Sequence, residues 1–560
     1  MKRLLTTFAA LATAAATLAV GPAAATPGGS LWGASVPFTN VVASSPTEGG
    51  GYPVPPGSRV PEAGTCYKGP FDANHSESWL AVKPGTEDLV GSSKFFFDKF
   101  STFYMFYLGA YQIPNGTPSG NSQIQGYDCV STHTQAMPPS WTDTTDPNLD
   151  FDTSGRVYQT MLPFNSFFDA TKLHPDGEID VSFSDDMGAT WTKANGGVPL
   201  EPPNNASAKQ LGHVEDKQWI AVNHIVGNRF QDHVYAAWAV FNGNGGGIKV
   251  RMAISRDRGA TFDKAVTITP PSQVGPGATF VYPEIDAAGN VFVSVVSFPA
   301  NGSSSTIFVA RSTDDARTFG PFVPVTTVTQ APGEVLPNTR FRTGIAESFA
   351  ASPTFADHLY LTYEDWDAVA GQMDVKFTQS TDGGSHWTTP VVVNDAANST
   401  TTDQFQPTVA AGPRGAVAIA FYDRRATCPD DPSVLAADVG RTNFCIDTSL
   451  QGYKDSGTAA GAVPVGGNVR ISQFTWDPEQ PGQHLGGLSQ YPCDGARDPC
   501  PNGRGFIGDY FGLAVSGGNI YALMVSTHYA SDVTADEGAP IYYQQQVLAT
   551  VPRTEFGAAY

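Results

Sequence analysis

The chain has 560 residues, a formal charge of −21, only 15% charged residues, 58 glycines and 43 prolines. The acidic balance, with no Lys/Arg run, argues against a nucleic-acid partner or an anionic membrane surface, and the turn-forming composition suits an all-β chain. Beyond the leader described next, no apolar stretch approaches the ~20 residues of a membrane span, so no membrane insertion is expected.

Residues 1–25 read as a secretory signal. Lys2 and Arg3 charge its start, Leu4 to Val20 is apolar and rich in Ala and Leu, and Ala23-Ala24-Ala25 offers small residues for cleavage. The mature protein is therefore expected to be secreted, an extracellular setting in which an even number of cysteines, six, points to disulfides. Cys428 with Cys445 and Cys493 with Cys500 are close enough for local loops, leaving Cys66 and Cys129, with connectivity open. Their spacing does not suit zinc, so no cysteine metal site is expected.

Residues 26–75, rich in Gly, Pro and Ser, read as an extended lead-in able to lend one strand to close the fold. Next comes a pattern repeated seven times, a turn followed by an apolar strand that often carries an aromatic residue. Its copies begin at Glu87-Asp88-Leu89-Val90, Gly155-Arg156-Val157-Tyr158, Asp232-His233-Val234-Tyr235, Gly289-Asn290-Val291-Phe292, Asp357-His358-Leu359-Tyr360, Gly415-Ala416-Val417-Ala418 and Gly518-Asn519-Ile520-Tyr521. A second short apolar strand precedes most copies, most weakly at Pro147 to Asp152. Neighbouring copies lie 57 to 77 residues apart until the last gap, and each unit reads as four strands. Four-stranded units of that length predict a β-propeller over residues 76–550, seven-bladed, with six blades as the alternative. The longer last gap reads as a disulfide-tied insertion in the sixth blade, residues 427–505, and residues 551–560 form a C-terminal tail.

Four stretches share the template Ser-x-Asp-x-Gly/Ala-x-x-aromatic: Ser184 to Trp191, Ser255 to Phe262, Ser312 to Phe319 and Ser380 to Trp387. Ser and Asp side chains bond nearby backbone groups, Gly takes a positive φ, and the aromatic residue folds back between sheets, so each copy predicts a structural hairpin turn. Ala316, where Gly is expected, predicts a weaker or differently bent third turn.

On these templates the chain resembles the sialidase superfamily of Asp-box, or BNR-repeat, β-propellers, over roughly residues 76–550. The resemblance implies a site on the face opposite the boxes, formed by loops leading into the inner strands and leaving the second strands. It further implies a glycoside hydrolase of exo-α-sialidase type: three arginines clamp the carboxylate of the sugar, a tyrosine assisted by a glutamate attacks the anomeric carbon, and an aspartate serves as acid and base. Carried onto this sequence, Tyr510 is the candidate nucleophile with Asp509 beside it, and Glu347 or Glu284 its assistant. Asp216 and Asp423 are the acid/base candidates, and Arg342, Arg424, Arg425 and Arg504 furnish the clamp. The chain departs from the family near its start, where Ser58-Arg59-Val60-Pro61 lacks the aromatic residue of the aromatic-Arg-Ile-Pro motif.

The expected partner is a glycan or glycoconjugate, with a carboxylated sugar as the narrower form and no cofactor required; calcium at Asp146 to Asp152 is the one metal possibility raised. Two alternatives stand beside the hydrolase: a non-catalytic propeller that binds carbohydrate or protein, and a polysaccharide lyase or other glycosidase acting on a carboxylated sugar. Asp423-Arg424-Arg425 also reads as an ion-paired network that fixes the mouth of a sheet.

Overall fold

A computed structural model describes residues 36–44, 51–53, 66–68, 74–96, 106–123, 143–165, 176–202, 213–242, 247–298, 304–339, 341, 343–344, 347–395, 401–480, 506–530, 540, 542–558 and 560. The leader, Arg59, Cys129, Arg340, Arg342, Cys493, Cys500 and Arg504 lie outside them. Seven antiparallel sheets follow one another along the chain as propeller blades, each with an inner, second, third and outer strand.

Blade 1 comprises His75–Val82, Leu89–Phe96, Phe106–Ile113 and Gly120–Gln123. In blade 2 the weak inner strand is split into Asp143–Thr145 and Asp150–Phe151, both paired with Val157–Asn165, followed by Asp180–Ser184 and Thr192–Lys193. Blades 3, 4 and 5 open with His213–Val222, Ala278–Ile285 and Glu347–Ala351, and their second strands are Val234–Asn242, Val291–Ser297 and Leu359–Asp367. The second strands of blades 4 and 6 are buried at every residue. Each blade packs against a neighbour on both faces, which is why these strands read as continuous apolar runs rather than alternating ones.

Blade 6 is Gln404–Ala411, Ala416–Asp423, Asp447–Asp455 and Ala462–Arg470. The stretch expected as a single insertion, residues 427–505, thus contains the third and outer strands of this blade. Its long gap divides into a loop closed by the Cys428–Cys445 disulfide and the connection from blade 6 to blade 7.

Blade 7 takes Gly512–Val515, Asn519–Ser526 and Gln545–Pro552 from the end of the chain and Thr39–Val42 from its start. Thr39 pairs with Thr550 and Val42 with Val547, so the lead-in closes the ring. At the seam, a Cβ on Gly512 would sit 2.6 Å from the Leu80 amide nitrogen; only glycine lets the inner strands of blades 7 and 1 approach so closely.

The four Ser-x-Asp turns each join a third strand to an outer one. Asp186 accepts the Thr190 amide at 2.8 Å and its hydroxyl at 2.7 Å, and Asp257 and Asp314 repeat both bonds with Thr261 and Thr318. The third turn, expected to weaken or bend differently, keeps the shared backbone: Ala316 adopts φ 53°, against 82° at Gly188 and Gly259. Its neighbour Asp315 is anchored by His233 at 2.8 Å, Tyr235 at 2.7 Å and Arg256 at 2.7 Å. Those bonds offset the steric cost of a left-handed alanine.

Candidate functional site

The loops leading into the inner strands and those joining second to third strands share the face opposite the Ser-x-Asp turns. Near that face the inner strands carry a common deformation. Register shifts fall at Glu77, Lys217, Phe280 and Gln406, with φ between 45° and 54°, and Asp146 takes φ 60° in the break of blade 2. A bulge re-aims the side chain at the extra residue. Here it brings polar groups from different blades together around the propeller axis.

Lys217 is the hub. Its ammonium lies 2.9 Å from Asp509 and 3.8 Å from Asp146, and its amide donates to Asp216 at 2.9 Å. Burial works against its charge, but Asp146, Asp509, Glu77 and Asp216 outweigh that and hold the ammonium well above its usual range. Glu77 pairs with Lys94 at 2.7 Å, and Gln406 donates its amide to Glu364 at 2.8 Å and its side chain to the Gly508 carbonyl.

Burial dominates the acids of this ring. It raises Asp216 to about 6 despite Lys217, Glu77 to about 7 despite Lys94, and Glu364 to about 8 despite the Gln406 amide. Glu347 is likewise pushed well above the carboxylate range by burial, with Lys217 opposing. Asp216 and Lys217 are partly exposed, so solvent reaches the ring.

Two residues beyond the bulge, inner strands present aromatic rings. Trp219 packs at 4.5 Å from Trp79 and from Tyr282 and at 5.2 Å from Tyr510, forming an aromatic layer beneath the polar ring. Further along the strands, one register position is occupied by Ala81, Asp150, Ala221, Glu284, Ala350, Ala410 and Ala514, opposite Val90, Tyr158, Tyr235, Phe292, Tyr360, Ala418 and Tyr521. The small residues let the inner strands converge toward the face of the Ser-x-Asp turns.

The candidates from sequence divide between these places. Asp509, Asp216 and Glu347 belong to the mouth. Tyr510 lies in the aromatic layer, its hydroxyl donating to the Pro147 carbonyl at 3.4 Å, and burial first, then Asp146 and Glu77, push its ionisation well above the normal range. The phenol whose ionisation Glu347 opposes is Tyr282, second only to the effect of burial. Glu284, expected beside the tyrosine, sits at the far end of its strand, where burial and nearby Asp150 raise it to about 8.

Arg424 is a strut. Its side chain is 0% exposed, paired with Asp403 at 2.8 Å and donating to the carbonyls of Pro337, Asn443 and Phe444. A guanidinium so enclosed, lowered to about 10 by burial and with four N–H bonds made inside the protein, presents no surface to a ligand. Arg425 binds Asp423 at 2.7 Å and Asp395 at 2.8 Å, while Asp423 also accepts from Gln404 at 3.0 Å and Ser449 at 2.9 Å. The Asp423-Arg424-Arg425 segment therefore forms the ion-paired network, and its expected clamp and acid/base contacts are already taken within the protein. Arg342 and Arg504 fall outside the described residues.

The aspartates raised for calcium diverge: Asp146 faces Lys217, Asp150 accepts the Val222 amide at 2.7 Å, and Asp152 accepts from Arg258 at 2.8 Å. Among the described residues no cluster of three His, Cys, Asp or Glu side chains is arranged to hold a metal ion.

Sequence reasoning gave no role in the site to Glu77, Lys217, Trp79, Trp219, Tyr282 or Glu364, and raised Asp146 only for calcium. A usable signal was present: Glu77-Ser78-Trp79, Lys217-Gln218-Trp219 and Phe280-Val281-Tyr282 carry an aromatic residue two places after the bulge, and Gly508-Asp509-Tyr510 repeats that spacing after a glycine of positive φ.

The sequence matches no protein-family description and no curated protein. Its fold is similar to that of solved structures. One is a protein of unknown function from Dyadobacter fermentans, 12% identical, covering 69% of this chain and 94% of that one, with a TM-score of 0.40. Another is the intramolecular trans-sialidase from Ruminococcus gnavus in complex with oseltamivir carboxylate, 11% identical, covering 86% and 95%, TM-score 0.38. A third is an endo-arabinase from Bacteroides thetaiotaomicron, 16% identical, covering 50% and 88%, TM-score 0.31. The propeller itself rests on the strand pairing above.

Proposed function

We propose that this chain is a secreted glycan-acting hydrolase working at the mouth of the propeller. One observation carries the reading: a partly exposed carboxyl group raised to about 6, Asp216, shares the axial ring with Asp509, whose carboxylate is paired to Lys217. Glycosidic bond cleavage needs one carboxyl group that still holds a proton near neutral pH and a second that is ionised. In this reading Asp216 protonates the leaving oxygen, and Asp509 activates water or attacks the anomeric carbon. Lys217 orients both through its ammonium and its amide. The leader and the Cys428–Cys445 disulfide support an exported protein.

The narrower form, release of a terminal sialic acid, calls for three arginines around one carboxylate. Arg424 and Arg425 are occupied in the blade 6 network, so that form keeps only two of its arginine candidates, Arg342 and Arg504, and needs a third, with Tyr282 a further nucleophile candidate near Glu347. The test is to incubate the full chain with a panel containing an α-sialoside, neutral glycosides and uronate-bearing polysaccharides, beside Asp216→Asn and Asp509→Asn. Turnover lost in both variants while each remains folded supports the reading. Turnover kept in both removes Asp216 and Asp509 as the reacting pair, and none on any glycan removes the hydrolase and favours a binding propeller.

A further inference from the structure

Among the described residues, the mouth holds more carboxyl groups than cations. Glu77, Asp146, Asp216, Glu347, Glu364 and Asp509 surround two ammonium groups, and Lys94 is taken up by Glu77 and Lys217 by Asp509. Glu347 stands apart. It is 2% exposed, and among the described residues neither carboxylate oxygen meets a partner beyond its own backbone amide. Its charge nonetheless bears on both Lys217 and Tyr282, which places it against the same ring.

A buried carboxyl group without a partner is costly, and a cation brought by a ligand relieves that cost. The layer beneath supplies aromatic faces, with Trp79 and Phe280 partly exposed, and these attract cations as well as the apolar faces of sugar rings. A carboxylated sugar would meet like charge at the same place.

Building on the glycan-hydrolase reading, we infer that the sugar taken at this mouth carries a free amino group, with Glu347 as the counter-charge to its ammonium. The ligand class is a glycan containing deacetylated hexosamine.

The experiment is calorimetric titration of the full chain with a β-1,4-linked glucosamine tetramer, its fully N-acetylated counterpart, 3′-sialyllactose and tetralysine, at low and high salt. The expected result is binding of the amino tetramer that weakens about tenfold or more on N-acetylation, with added salt, and in Glu347→Gln. Equal or tighter binding of the acetylated tetramer or of sialyllactose would overturn the inference, as would binding of tetralysine alone or of nothing. The acetylation comparison uses the unaltered protein, so a misfolded variant cannot mask the outcome. Hydrolysis separates the two readings. Turnover of acetylated or neutral chains with no preference for the amine sinks this inference and leaves the hydrolase standing, whereas tight binding of the amino tetramer without turnover of any glycan does the reverse.

Discussion

The Lys217 ammonium in blade 3 meets the Asp509 carboxylate at the start of blade 7 at 2.9 Å, across 292 positions of sequence. The pair spans the propeller axis above the Trp79, Trp219 and Tyr510 rings, and its two members orient the mouth from opposite sides. Losing one member strips the other, a largely buried charge, of its 2.9 Å counter-ion.

Asp216 sets the expected pH profile of turnover. As the proton donor raised to about 6, it is active below that value, so the rate on the best glycan of the panel falls as pH rises through about 6. Asp216→Asn lowers kcat by about 100-fold or more and removes that limb. An unchanged profile in the variant would assign the donor elsewhere.

Stability has its own pH dependence. Glu77 and Glu364, almost fully buried, sit at about 7 and about 8 against 4.5 for an ordinary glutamate. The folded state therefore holds protons that the unfolded chain releases. Stability is highest below about pH 4.5 as far as these two groups decide it, and is lost as pH rises through 7 and 8, on the order of 3 kcal/mol for Glu77 and about 5 kcal/mol for Glu364. Melting followed from pH 5 to pH 8 should show Tm falling, with a shallower fall in Glu364→Gln.

Arg424→Ala is expected to destabilise the fold by about 3–5 kcal/mol, because it leaves Asp403 buried without its counter-charge. Arg424→Lys should recover only part of this, since an ammonium cannot reach three carbonyls and a carboxylate in one plane. Thermal melting decides it; a fully stable Arg424→Ala would argue against the strut.

The Ser-x-Asp turns permit a graded comparison. Asp257→Ala removes bonds to exposed Thr261 and should cost about 1 kcal/mol, whereas Asp315→Ala strips His233, Tyr235 and Arg256 of a buried partner and should cost about 3 kcal/mol. Ala316→Gly should stabilise by about 0.5–1 kcal/mol by relieving its positive φ. Denaturant midpoints for the three variants test the order.

Ring closure is open to the same kind of measurement. Gly512→Ala drives a Cβ into the backbone at Leu80 and Trp79 and should cost about 2 kcal/mol or more. Removing residues 1–44 deletes the outer strand of blade 7 and should lower Tm further. A truncated chain melting like the full one would mean that Thr39–Val42 contributes nothing to closure.

The repeat of apolar strands and Ser-x-Asp turns, both local patterns, was enough to specify blades, their antiparallel order and the closing strand from the lead-in, because strand pairing within a blade joins neighbours in sequence. The same locality misled at residues 427–505, where the strands Asp447–Asp455 and Ala462–Arg470 lacked a clear repeat and were absorbed into an insertion. Of the site, Asp216, Glu347, Asp509 and Tyr510 were legible because they adjoin the inner strands. Whether Arg424 faced a ligand or Asp403, and whether Glu284 lay at the mouth or at the far end of its strand, depended on where a bulge rotated each inner strand and which blades met at the axis. Composition and periodicity carry no record of such contacts between distant residues, so the blades could be read from the chain, while the acid-rich mouth around Lys217 was decided only when the ring closed.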